Sequence, residues 1–135
     1  MNKGRSRLIS FHRFVDERGN LGVLDSMQDV PFPIRRVFFI ESMSAGTTRG
    51  GHAHHQTKEL IIAIGGEIEV TLESCHGTDR YLLGEPGRAL YIPELSWLTI
   101  NCVTAGAVCL VMASTSYDER DYIRSHEEFR ALIAK

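Results

Sequence analysis

Between residues 8 and 113 the chain runs as short extended segments cut by Gly, Pro, Asp and Asn turns, and only its tail carries a helical period. Many short strands bury their apolar faces by folding sheets onto one another, which predicts a sandwich or barrel. Residues 8–15 and 21–24 are strand-like on either side of an Asp16-Glu17-Arg18-Gly19-Asn20 turn. Pro31-Phe32-Pro33 cannot lie inside a helix. Residues 35–40 (RRVFFI) are rich in β-formers, and residues 60–64 (LIIAI) read as a buried strand ended by Gly65-Gly66. In residues 67–72 (EIEVTL) the alternation places Ile68, Val70 and Leu72 on one face. Strand-like runs follow at 80–83, 89–92, 97–101 and 107–113. Residues 121–124 read as a turn, and 126–134 as a helix with Phe129, Leu132 and Ile133 on one face. The predicted fold class is all-β, a jelly roll with a short C-terminal helix.

The 135 residues suit one domain, 1–135, with a core of its own. A net charge of -2 gives no overall field toward nucleic acid, so an anionic ligand must be met locally by a few arginines. Cys75, Cys102 and Cys109 are odd in number and form no CxxC pair, which predicts free thiols in a reducing compartment. Cys102 and Cys109, in apolar company, read as small core residues. The opening MNKGRSRLISFHRF lacks the apolar centre of a secretory leader, and no apolar run approaches the ~20 residues of a membrane helix. The expectation is a cytoplasmic protein with neither a membrane nor a nucleic-acid partner.

The chemistry concentrates between Gly46 and Gly66, in the pattern G-x5-H-x-H-x4-E-x6-G formed by Gly46, His52, His54, Glu59 and Gly66. Residues i and i+2 of a strand share a face, so His52 and His54 point the same way, and Glu59 can reach them from a neighbouring strand. The pattern resembles the first signature of the cupin superfamily at full length. The second signature is partial. Gly87-x5-Pro93 is present, but Leu98 stands where the metal-binding histidine belongs, Leu95 replaces the glycine, and Asn101 lies beside the remaining position. A four-ligand metal site is therefore not expected, although two histidines and a carboxylate form a set able to hold iron. Glu59 is open to three readings: metal ligand, partner orienting an imidazole, or charged strand end. His55 points to the opposite face, and His12, His76 and His126 read as surface residues.

Longer strings narrow the resemblance. They are DERGNL from Asp16, PFPIRRV from Pro31, RGGHAH from Arg49, LYIP from Leu90 ahead of Trp97, and ASTSYDERDYIR from Ala113. Over residues 11–129 the chain resembles the WxcM-like, FdtA/QdtA-type cupins, sugar 3,4-ketoisomerases that act on dTDP-4-keto-6-deoxy-D-glucose. The resemblance implies an isomerase with no metal and no cofactor, a homodimer with exchanged N-terminal strands, and a dTDP-linked keto sugar in the barrel. Its product would feed deoxysugar synthesis for surface polysaccharides such as lipopolysaccharide. By the same resemblance His52 is the base at C3 and His54 the proton shuttle at the carbonyl oxygen, roles that suit a side chain titrating near neutrality. Arg49 and Arg36 are candidates for sugar or diphosphate oxygens, which guanidinium groups bind in pairs. Glu59, Phe38 and Trp97 complete the substrate-binding set, with Trp97 equally suited to a core position.

Four residues depart from the family pattern. Phe38 and Phe39 stand where tyrosine is common, Glu59 where glutamine is common, and Leu98 where some members carry histidine. They leave open a non-catalytic nucleotide-sugar-binding cupin, or a metal-dependent enzyme using His52, His54 and Glu59. Tyr117 and Tyr122 read as packing residues.

Overall fold

The alternation in the sequence becomes two facing antiparallel sheets in the computed structural model, which describes residues 4–135. One sheet runs in the order β1 (Arg7–Ser10), β9 (Arg88–Ile92), β6 (Glu59–Ile64), β11 (Val108–Ala113), β4 (Arg36–Ile40). The other runs β12 (Tyr122–Ile123), β5 (Thr48–His54), β10 (Trp97–Cys102), β7 (Ile68–Ser74), β8 (Gly77–Leu83). Strands β2 (Arg13–Asp16) and β3 (Gly19–Gly22) pair with each other as a separate hairpin. This is the expected jelly roll, closed by helix α1 (His126–Ile133).

Ile68, Val70 and Leu72 all turn inward from β7, as their alternation predicts, and meet Ile61, Leu90, Ile92 and Val111 of the facing sheet. Cys102 and Cys109 are buried in the same core and all three thiols are free. The outer face of the first sheet is covered by the N-terminal segment, where Val30 and Phe32 pack on Leu60, Ile62, Tyr91 and Met112. A third cluster docks α1. Phe129, with no exposure, packs on Ala53 of β5 and Ile123 of β12, a burial that contributes roughly 2–3 kcal/mol. The Ser125 side chain caps the helix by accepting from the Glu128 N–H. No helix is long and apolar enough to cross a membrane among the described residues.

Two segments differ from the sequence expectation. The run 8–15 breaks between β1 and β2: the Phe11 N–H still donates to the Gly87 carbonyl in the β1–β9 register, and from Arg13 the chain changes partner to β3. Residues 121–124 are not a plain turn. A 3-10 turn (Glu119–Asp121) leads into β12, which pairs Tyr122 with His54 and Ile123 with Ala53. That added strand pairing carries the tail over the end of β5.

The direction of β5 is set at Gly50. Its φ is +95°, and a Cβ there would lie 2.6 Å from the Leu98 carbonyl oxygen, beside the register shift between Leu98 and Thr99 on β10. The bulge places Leu98 opposite His52. Gly46 has a similar φ of +88° but open space around it. Gly46→Ala therefore costs only the backbone term of about 1 kcal/mol, whereas Gly50→Ala costs about 3 kcal/mol or more. Urea unfolding of the two variants measures the difference, and equal midpoints would show that β10 does not hold β5 in this register.

Candidate active site

His52 and His54 leave β5 on the same face, with ring centroids 5.2 Å apart and planes at 80°. Tyr122, delivered by the β12 pairing, lies 4.4 Å from the His54 ring and 5.1 Å from the His52 ring. His52 and Tyr122 line a cavity of about 340 Å³ between the sheets, with the His54 ring packed against both. Glu59, Arg49, Arg124 and Phe38 also line it, and Leu98, Ile100 and Val111 form its apolar depth.

His54 is held from behind. Its Nδ1–H donates to Asp121 Oδ2 at 3.1 Å, because an ionised carboxylate can only accept. The same carboxylate accepts from the Thr57 hydroxyl, the Thr57 N–H at 3.2 Å and the Gln56 N–H at 2.8 Å. Burial opposes the charge on Asp121, but these donors outweigh it and hold the carboxyl below its usual range. With its proton on Nδ1, neutral His54 presents the Nε2 lone pair inward, and that atom is buried without a partner among the described residues. Sequence reasoning offered Glu59 as a partner orienting an imidazole. The structure gives that place on His54 to Asp121 and leaves Glu59 Oε2 3.9 Å from His54 Nε2.

Burial sets the charge state of the wall. It lowers His52 to about 4, assisted by the neighbouring His54 and Arg124 charges. Burial lowers His54 as well, against the pull of Asp121. Glu59 is buried from the other side and is pushed up to about 7, an effect that Arg36 opposes and Asp121 reinforces. The cavity therefore holds two neutral imidazoles near neutral pH. Among the described residues no three His, Cys, Asp or Glu side chains converge closely enough to hold a metal ion.

The mouth is basic. Arg49 is exposed at the rim, and Arg124 lies 4.5 Å over the Tyr122 ring. Glu119 fixes Arg124 through hydrogen bonds of 2.7 and 2.9 Å, and Tyr117 donates to the same carboxylate at 2.6 Å. Arg36 stands behind Phe38, its guanidinium 5.5 Å from that ring and 5.7 Å from Tyr117, with Nε buried and unpaired.

Of the residues named from sequence, His52, Glu59, Arg49 and Phe38 line this cavity, and His54 and Arg36 adjoin it. Trp97 does not line it: its ring packs 4.9 Å from His126 and 5.6 Å from Phe129, where it supports α1. His126 is half-buried rather than a free surface residue, donating to Glu73 at 2.6 Å. Tyr122 is a cavity wall rather than packing alone. Asp121 and Arg124 were missed as site residues. Asp121 is 67 positions from His54, and no spacing rule joins a tail turn to a central strand. The only available signal was the YDERDYIR string itself.

An unprotonated imidazole, a second imidazole backed by a carboxylate, and a guanidinium rim are equipped for proton transfer on an anionic substrate. Known proteins agree. The family described as FdtA, WxcM-like, C-terminal, matches residues 4–134. The TDP-4-oxo-6-deoxy-alpha-D-glucose-3,4-oxoisomerase of Aneurinibacillus thermoaerophilus is 31% identical over 130 residues, 96% of this chain and 94% of the relative. The sugar 3,4-ketoisomerase QdtA of Thermoanaerobacterium thermosaccharolyticum, solved with TDP, superposes with a TM-score of 0.92 at 32% identity, covering 99% of this chain and 97% of that one. A histidine-to-asparagine variant of QdtA, solved with TDP-4-keto-6-deoxyglucose, gives a TM-score of 0.91 at 32% identity over 98% and 96% of the two chains. This chain belongs to the FdtA family, the WxcM-like cupins.

Proposed function

We propose that this isomerase converts dTDP-4-keto-6-deoxy-D-glucose to its 3-keto isomer, and that His52 and His54 carry the proton transfers. The observation that supports it best is the pair of neutral, same-face imidazoles, His52 lining and His54 adjoining a cavity whose mouth carries Arg49 and Arg124. The relatives named above are ketoisomerases of this substrate class, and the QdtA variant holds that sugar.

The chemistry follows from charge. His52 Nε2 or Nδ1 takes the proton from C3, and the electron pair of that C–H bond becomes the C3–C4 double bond of an enediol. His54 Nε2 takes the proton from O3, forming an imidazolium that Asp121 stabilises, and passes it to the former carbonyl oxygen. Return of the proton held by His52 to C4 completes the shift and leaves both histidines neutral, with no net change in protons or electrons. The low basicity that burial imposes on His52 keeps it unprotonated throughout the neutral range. Arg49 and Arg124 are suited to the diphosphate at the rim, and Phe38 to the sugar face.

The chain would act as one catalytic domain in the cytoplasm, in deoxysugar synthesis for surface polysaccharides, as a homodimer exchanging N-terminal strands. The dimer is supported by the β2–β3 hairpin, which exposes Phe14, Val15 and Leu21, and by the edge strand β4, which exposes Val37 and Phe39.

Proton NMR of dTDP-4-keto-6-deoxyglucose in deuterated buffer tests the reading. The wild type incorporates deuterium at C3 and produces a 3-keto species, and His52→Ala does neither. Absence of exchange in the wild type would overturn it. Asp121→Asn leaves His54 in the wrong tautomer, and kcat falls about 10²-fold with the fold intact by circular dichroism. The acid side of the kcat/KM profile has its midpoint near 4, because His52 is a base only when unprotonated; a midpoint near the ordinary histidine value would contradict a desolvated base.

A further inference from the structure

Glu59 is the one carboxyl group that lines the cavity, and it is 3% exposed. It receives no hydrogen bond from another side chain among the described residues, whereas Asp121, nearby, accepts four. An ionised carboxylate so placed lacks the donors that make burial tolerable. The groups facing it are Arg36 from β4, His52 and His54 from β5, Cys109 from β11 and Asp121 from the 3-10 turn, with Arg49, Tyr122 and Arg124 across the cavity. On β9 its partner is Ile92, which offers no charge.

The gap between Glu59 Oε2 and His54 Nε2 is 3.9 Å, too wide for a direct hydrogen bond. It fits a single oxygen atom held at roughly 2.8 Å from each. His54 Nε2, buried and unpaired, opens toward the same gap.

We propose that Glu59 works as an uncharged carboxylic acid, donating a hydrogen bond to the substrate oxygen to which His54 passes its proton. The identity of that oxygen, the C4 oxygen of the sugar, rests on the ketoisomerase reading. Negative charge gathers there as the enediol forms, so a neutral donor stabilises the intermediate and an ionised carboxylate repels it. Burial raises Glu59 to about 7, so the donor form prevails below that pH and is lost as pH rises through it.

The test compares kcat/KM from about pH 5.5 to about pH 9 for wild type, Glu59→Gln and Glu59→Leu, with thermal melts to confirm folding. Glutamine keeps a donor that does not ionise, and leucine keeps only the bulk. The wild-type rate falls as pH rises through about 7. Glu59→Gln loses that alkaline fall and stays at least about tenfold faster than Glu59→Leu at the acid plateau. An alkaline fall unchanged in Glu59→Gln, or equal rates for the two variants, would overturn the proposal. A second readout is independent of the sugar. Carbon-13 NMR of glutamate-labelled, ligand-free protein follows the signal that disappears in Glu59→Gln. Titration near neutrality supports the neutral acid, and titration in the ordinary glutamate range overturns it. Failure of the wild type to turn over this sugar counts against the ketoisomerase reading, and the carbon-13 titration still decides the state of Glu59.

Discussion

The Asp121 carboxylate is the joint on which the site depends. It gathers the His54 ring, the Thr57 hydroxyl and the Gln56 and Thr57 N–H groups, while the Asp121 carbonyl accepts from the His55 N–H. A charged carboxylate is costly to bury, and these donors are what make it tolerable. In return it fixes the tautomer of His54 and fastens the tail to the end of β5. Fastening the tail is what allows β12 to form, and β12 supplies Tyr122 and leads to Arg124 at the cavity. Helix α1, the Phe129 contact and the His126–Glu73 bond then hold the same segment from its far side.

Desolvation, rather than overall charge, tunes the chemistry. The chain carries a net charge of only -2, yet the cavity holds His52 far below the ordinary histidine value and Glu59 well above the ordinary carboxylate value. One enclosure thus pushes a base toward neutrality and an acid toward neutrality at once, the pairing that enediol chemistry requires. Cys109, in the adjoining core, shows the same effect without a role: burial pushes its thiol to about 12, which leaves it inert.

The sheets were legible because strand alternation is local. Ile68, Val70 and Leu72 announced their inward face, and the i, i+2 spacing of His52 and His54 announced a shared one. The break after Phe11 was hidden, since it comes from a change of partner, from β9 to β3. Strand β12 was hidden for a related reason: two residues give no period, and only their partner on β5 makes them a strand. The Asp121 contact spans 67 positions and belongs to topology alone. Trp97 illustrates the converse, a residue whose type suited both a ligand and a core, which the docking of α1 assigned to packing.

The measurement that bears most directly on the account uses dTDP-4-keto-6-deoxyglucose deuterated at C3, turned over in ordinary water. A base that removes the C3 proton slows with the heavier isotope and releases the label to solvent. The account predicts a primary isotope effect on kcat/KM together with product that has lost most of its deuterium. A rate indifferent to the isotope, with no deuterium reaching the solvent, would contradict proton abstraction by this pair of histidines.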